Sequence, residues 1–125
     1  MEQVIQVTTS NYSEKVNKEG KAALIFVGDV LAETGQSWCS DTVEAEPTIK
    51  NYAIPQLLQK GYTVYWCWAG DKETWKDPNN PARVSEWIQI KSIPTLLLVH
   101  ENKEAIRFEE EQLFNENALK QFLEQ

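Results

Sequence analysis

At 125 residues the chain is the length of one domain, and 42% hydrophobic with 25% charged residues is an ordinary globular balance. A formal net charge of −7 argues against nucleic acid or an anionic membrane as partner, because phosphate binding needs clustered Lys and Arg. Two cysteines and one histidine cannot complete a four-ligand zinc site alone, and no apolar run reaches the ~18–20 residues of a membrane span. The opening "MEQVIQVTTS" lacks the apolar stretch of a signal peptide, so a cytosolic setting with reduced thiols is expected.

In chain order, "QVIQVTT" alternates and reads as a first strand. Ser10 is placed to cap a helix through about Asn17, with Tyr12 and Val16 on one face and Gly20 marking its end. "KAALIFVGD" is a continuous apolar run of strand length, as a buried central strand should be. A loop from Asp29 to Ser37 leads to Trp38, and a helix should start at Cys39 or Ser40. Pro47 and Pro55 predict a kink in it, or two helical pieces ending before Gly61.

"YTVYWCWAG" is dense in aromatic and β-branched residues and reads as another interior strand. "DKETWKDPNNPAR" carries turn chemistry, with Pro81 suited to the first turn of a short helix to about Ile88. "SIPTLLLVH" and "EAIRFEE" are strands close enough for a hairpin. "FNENALKQFLEQ" gives an amphipathic helix with Leu119, Phe122 and Leu123 inward and Asn115 or Asn117 as cap. The alternation predicts one α/β domain over residues 1–125, its mixed sheet partly parallel and flanked by helices.

The chemistry concentrates in "GQSWCSDTVEAEP", residues 35–47. Cys39 stands where a helix begins, and first-turn N–H groups can solvate a thiolate. Asp41, Glu44 and Glu46 oppose that, and the Thr42 hydroxyl, on the same turn, is a candidate further donor to the sulfur. A second thiol at position 42 would release a mixed disulfide; a threonine hydroxyl cannot, because its alkoxide is far too basic. Release then falls to an external thiol such as glutathione. Cys67, between Trp66 and Trp68, reads as a small core hydrophobe before it reads as a redox partner. His100 reads as a surface imidazole.

Trp38-Cys39-Ser40-Asp41-Thr42 followed by "VEAEP" closely resembles the WCPDC-V-x-AEP motif of the thioredoxin domain-containing protein 17 family. "CWAGDKETWKDPNNPAR" and "SIPTLLL" resemble that family's later segments in collinear order. The resemblance implies a thioredoxin fold in three layers, a cytosolic monomer, and thiol–disulfide exchange with selected protein or small-molecule disulfides, coupled in the family to thioredoxin reductase and NADPH. It implies no bound cofactor and no metal. Carried over, Cys39 matches the nucleophile, Asp41 the acidic residue between the two cysteines, and Pro94 the cis proline, which places Ile93 beside an extended substrate.

Two departures bear on this: Ser40 replaces the motif's proline and Thr42 replaces its second cysteine. Three readings follow. Cys39 works as a monothiol; or the ground around Trp38, Trp75 and Ile93-Pro94, expected to be exposed, binds a partner without chemistry; or Thr42 was introduced to trap a substrate.

Overall fold

A computed structural model describes residues 4–124. Its frame is one five-stranded sheet of β1 (Val4–Thr8), β2 (Ala22–Val27), β3 (Thr63–Trp68), β4 (Thr95–His100) and β5 (Lys103–Glu109), in the order β1-β3-β2-β4-β5. β1 and β2 run parallel to β3, while β2–β4 and β4–β5 are antiparallel, so the sheet is mixed as expected. β2 lies at its centre with all six residues buried. Because successive side chains of a strand point to opposite faces, Ala23, Ile25 and Val27 enter one core and Ala22, Leu24 and Phe26 the other. That is why the run is apolar without alternation.

The helices fill the two faces. The first core receives Ala45, Ile49, Ala53, Ile54 and Leu57 from the long helical rod after Cys39, together with Leu119 and Leu123 from α6 (Asn117–Leu123). The second takes Tyr12 and Val16 with Trp75, Ala82, Ile88, Ile90 and Ile93. The rod is α2 (Ser40–Thr48), a π-helical segment (Ile49–Ala53) and α3 (Ile54–Gln59) in continuous succession. The two helical pieces expected around Pro47 and Pro55 are α2 and α3, ending before Gly61, and a wider turn joins them. Ile54 N–H donates to the Ile49 carbonyl five residues back, and this i→i+5 register lies between the two prolines, each of which lacks an N–H.

Other local expectations shift. α1 is only Tyr12–Lys15, and Ser10 does not cap it. Asn11 holds the N-cap position, but its side chain turns back to accept from Thr8 N–H at 2.9 Å. The loop chemistry of residues 71–84 hides two short helices. α4 (Lys72–Lys76) is capped by Asp71, which accepts from Thr74 N–H. α5 (Pro81–Val84) is capped by Asn80 and ends four residues before Ile88. Glu116 occupies the N-cap position of α6, and Asn115 contributes only by accepting from Asn117 N–H at 2.9 Å. A 3₁₀ turn (Glu110–Leu113), unforeseen in the sequence, follows β5.

Candidate functional site

The site forms where β2 and β3 end and α2 begins. Cys39 is the residue before α2, with extended backbone (φ −88°, ψ 112°), and it is a half-buried free thiol. Its Sγ lies 3.8 Å from the Ile93 carbonyl, to which the thiol donates a weak bond. The Ile93–Pro94 peptide is cis, the geometry the resemblance implied. Sulfur, Ile93 carbonyl and Pro94 therefore meet at one spot, drawn from the start of α2 and the segment leading into β4.

The backbone on either side of Cys39 is tied to the strand ends by polar contacts. Ser37 Oγ donates to the Gly28 carbonyl at 2.8 Å and accepts from Cys39 N–H at 3.1 Å. Thr42 Oγ1 accepts from Gly28 N–H at 3.3 Å. Trp38 N–H donates to the Asp29 carbonyl, and its indole N–H donates to the Gly70 carbonyl at 2.8 Å. Asp29 and Gly70 are paired in turn, Gly70 N–H donating to Asp29 Oδ1 at 3.1 Å and Asp29 N–H to the Gly70 carbonyl at 3.0 Å. Position 28 is crowded, and a side chain there would displace its neighbours. A Cβ there would sit 2.8 Å from Ser37 Oγ and 3.0 Å from the Trp38 ring.

Several expected placements need correcting. Thr42 is fully buried, and among the described hydrogen bonds none joins it to the Cys39 sulfur; its hydroxyl oxygen accepts from Gly28 N–H. The ground around Trp38, Trp75 and Ile93-Pro94 is not an exposed surface. Trp75 is only 5% exposed, under an Arg83 guanidinium 4.0 Å above its ring, and Ile93 is equally covered. Pro94 is buried and Trp38 half-buried. The second core claims Trp75 and Ile93. Asn80 explains the W-K-D-P-N-N segment: it is buried, caps α5 and donates to the Thr74 carbonyl at 2.9 Å, so it knits α4 to α5.

Cys67 follows the core reading. It is fully buried in β3 opposite Phe26 and Val7, donates to the Tyr65 carbonyl at 3.7 Å, and burial pushes its thiol pKa far up. Both cysteines are free. Ser40 is exposed at the first helical position, and half-buried Asp41 faces a depression of about 460 Å³ shared with Glu109, Glu110, Glu111, Gln112 and Phe114. This acidic shelf joins the site through Glu110 N–H, which donates to the Pro94 carbonyl at 2.9 Å. His100 is exposed, 4.0 Å from Glu101, at the β4–β5 turn.

Sequence reasoning missed Ser37, Gly28, Asp29 and Gly70. A serine two residues before Cys39 is a local turn signal and was legible. The strand-end partners are not, since they come from 9 residues away in the Ser37–Gly28 bond and 32 in the Trp38–Gly70 bond.

Among the described residues no helix is long and apolar enough to cross a membrane, and no group of His, Cys, Asp or Glu is placed to hold a metal ion. Structural comparison finds mitochondrial thioredoxin 3 of Saccharomyces cerevisiae in its oxidized form at TM-score 0.57 and 13% identity, covering 97% of this chain and 93% of that one. A mutant thioredoxin of Halobacterium salinarum matches at TM-score 0.58 and 18% identity, over 98% of this chain and 88% of that one. At those identities the likeness establishes the thioredoxin fold.

In sequence the chain is similar to thioredoxin domain-containing protein 17 of Mus musculus, 39% identical over 63% of this chain and 61% of that protein. The Homo sapiens protein of the same name is 33% identical over 62% and 60%, and the thioredoxin-like protein Clot of Arabidopsis thaliana 33% over 68% and 62%. The match thus spans about three fifths of each curated relative. A family model of the thioredoxin domain of thioredoxin domain-containing protein 17-like proteins matches residues 3–125. A sheet that sets a lone thiol against a cis proline and a family match across nearly all the chain agree: this protein belongs to the thioredoxin domain-containing protein 17-like family.

Proposed function

We propose that this thioredoxin-like protein performs monothiol disulfide exchange through Cys39, with an external thiol such as glutathione completing the cycle. One observation carries the reading: a half-buried sulfur at the opening of α2 lies 3.8 Å from the Ile93 carbonyl beside cis Pro94, while position 42 holds a sealed threonine. The attacking form in disulfide exchange is a thiolate, and a half-buried thiol at an element's end leaves one side of the sulfur open to a substrate disulfide.

In the first step the Cys39 thiolate attacks one sulfur of a substrate disulfide. An S–S bond to Cys39 forms, the substrate's own S–S bond breaks, and the departing thiolate takes a proton from solvent. In the second step an external thiolate attacks the substrate's sulfur in the mixed disulfide, and Cys39 leaves as thiolate. The protein ends unchanged, and the substrate has exchanged one disulfide partner for another. Thr42 cannot substitute in the second step. Turnover driven by thioredoxin reductase and NADPH, which needs a disulfide within the protein, is accordingly absent. The substrates are disulfide-bearing proteins or small molecules, met in the cytosol by a monomer.

Incubation with oxidised glutathione, intact-mass measurement and peptide mapping test this. The expected result is one glutathione adduct, confined to Cys39 and removed by excess reduced thiol. No adduct, or an adduct on Cys67, overturns the reading.

A further inference from the structure

We infer that Ser37 is a positioning residue for Cys39, its buried hydroxyl fixing where the sulfur sits by bridging the Gly28 carbonyl and the Cys39 amide. The inference rests on Cys39 being the reacting group proposed for exchange. The Cys39 amide lies before the first turn of α2, where no helical carbonyl takes it up. Ser37 Oγ accepts from it at 3.1 Å, and the same hydroxyl donates a hydrogen bond to the Gly28 carbonyl at 2.8 Å. Ser37 is 7% exposed, so this is an internal bridge rather than a solvated turn.

Gly28 closes the fully buried strand β2 and is a firm anchor. It is also gripped from the far side of the thiol, its N–H donating to Thr42 Oγ1 at 3.3 Å. The residues at 37 and 42 therefore bracket Cys39, and both fasten to one glycine. Trp38 cannot replace the bridge, because its backbone and indole bonds run to Asp29 and Gly70 and leave the Cys39 amide untouched. Without the Ser37 hydroxyl, the buried Gly28 carbonyl and the part-buried Cys39 amide both lose the partner they share. Cys39 is then free to drift, and its sulfur leaves the Ile93 carbonyl.

The test follows Cys39 alkylation by iodoacetamide against pH in the unmodified protein, Ser37→Ala and Ser37→Thr. Ser37→Ala should slow alkylation at pH 7 on the order of tenfold and move the rate profile to higher pH, whereas Ser37→Thr keeps the hydroxyl and stays close to the original. A hydroxyl serving fold stability alone would lower the melting temperature and leave the folded protein's pH profile in place. Should Ser37→Ala fail to fold, amide hydrogen exchange on the unmodified protein decides: the Cys39 amide should exchange more slowly than that of Ser40. A folded Ser37→Ala that reacts like the original, or a Cys39 amide that exchanges as fast as Ser40, overturns the inference. Oxidised glutathione run in parallel separates the two claims. No adduct on the unmodified protein sinks the exchange reading, while the alkylation comparison still judges Ser37.

Discussion

The same thiol group occurs twice in this chain, in two surroundings. Cys39 stands half-buried at a helix opening, its sulfur against a backbone carbonyl and its neighbours tied to strand ends. Cys67 is sealed between β1 and β2, where burial holds it neutral well above the pH at which a free thiol ionises. The difference teaches that local sequence does not make a cysteine reactive. Both are flanked by tryptophan, yet only one sits at the end of an element, where unpaired amides gather and solvent reaches. What separates the two thiols is placement: one at the opening of α2, the other inside β3.

The comparison is sharpened most by giving the Cys39 side what it lacks. Thr42→Cys restores a thiol within one helical turn of Cys39, and release of a mixed disulfide becomes intramolecular. Steady reduction of a model disulfide by dithiothreitol should rise roughly a hundredfold. A variant that stays as slow as the parent places the loss elsewhere, with Ser40 the first suspect.

A smaller effect comes from the anchor between the two regions. Gly28→Ala drives a Cβ to 2.8 Å from Ser37 Oγ and 3.0 Å from the Trp38 ring, and should cost about 1–3 kcal/mol in denaturant unfolding. Gly20→Ala meets nothing within 4 Å and serves as the control, with a change under about 1 kcal/mol. Equal effects at the two glycines would break the account of Gly28 as the point on which the site is hung.

Much of this architecture was legible before any coordinates. The unbroken apolar run of β2 announced a strand buried on both faces, and spacing between "SIPTLLLVH" and "EAIRFEE" announced the hairpin of β4 and β5. Cys39 at a helix start was legible from its sequence neighbours, and the cis Pro94 from family resemblance. What escaped was decided by contacts between distant residues. Trp75 was expected on exposed ground, but its ring is claimed by the second core and covered by Arg83. Thr42 looked like a donor to sulfur because it lies one turn away, but the bond described for it is one accepted from Gly28, 14 residues earlier. The two prolines promised a kink or two helical pieces; the pieces are there, and the π turn that joins them was not foreseen. Periodicity reports which face of an element is buried; it does not report which partner a polar atom finds.

The central claim is that one thiol, Cys39, is the accessible and reactive one. Timed labelling of the native protein with iodoacetamide, followed by peptide mapping, tests it most directly. The account predicts a single label on Cys39, with Cys67 modified only once denaturant opens the sheet. Labelling of Cys67 in the native protein at a rate comparable to Cys39, or a Cys39 that stays unmodified until unfolding, would contradict it.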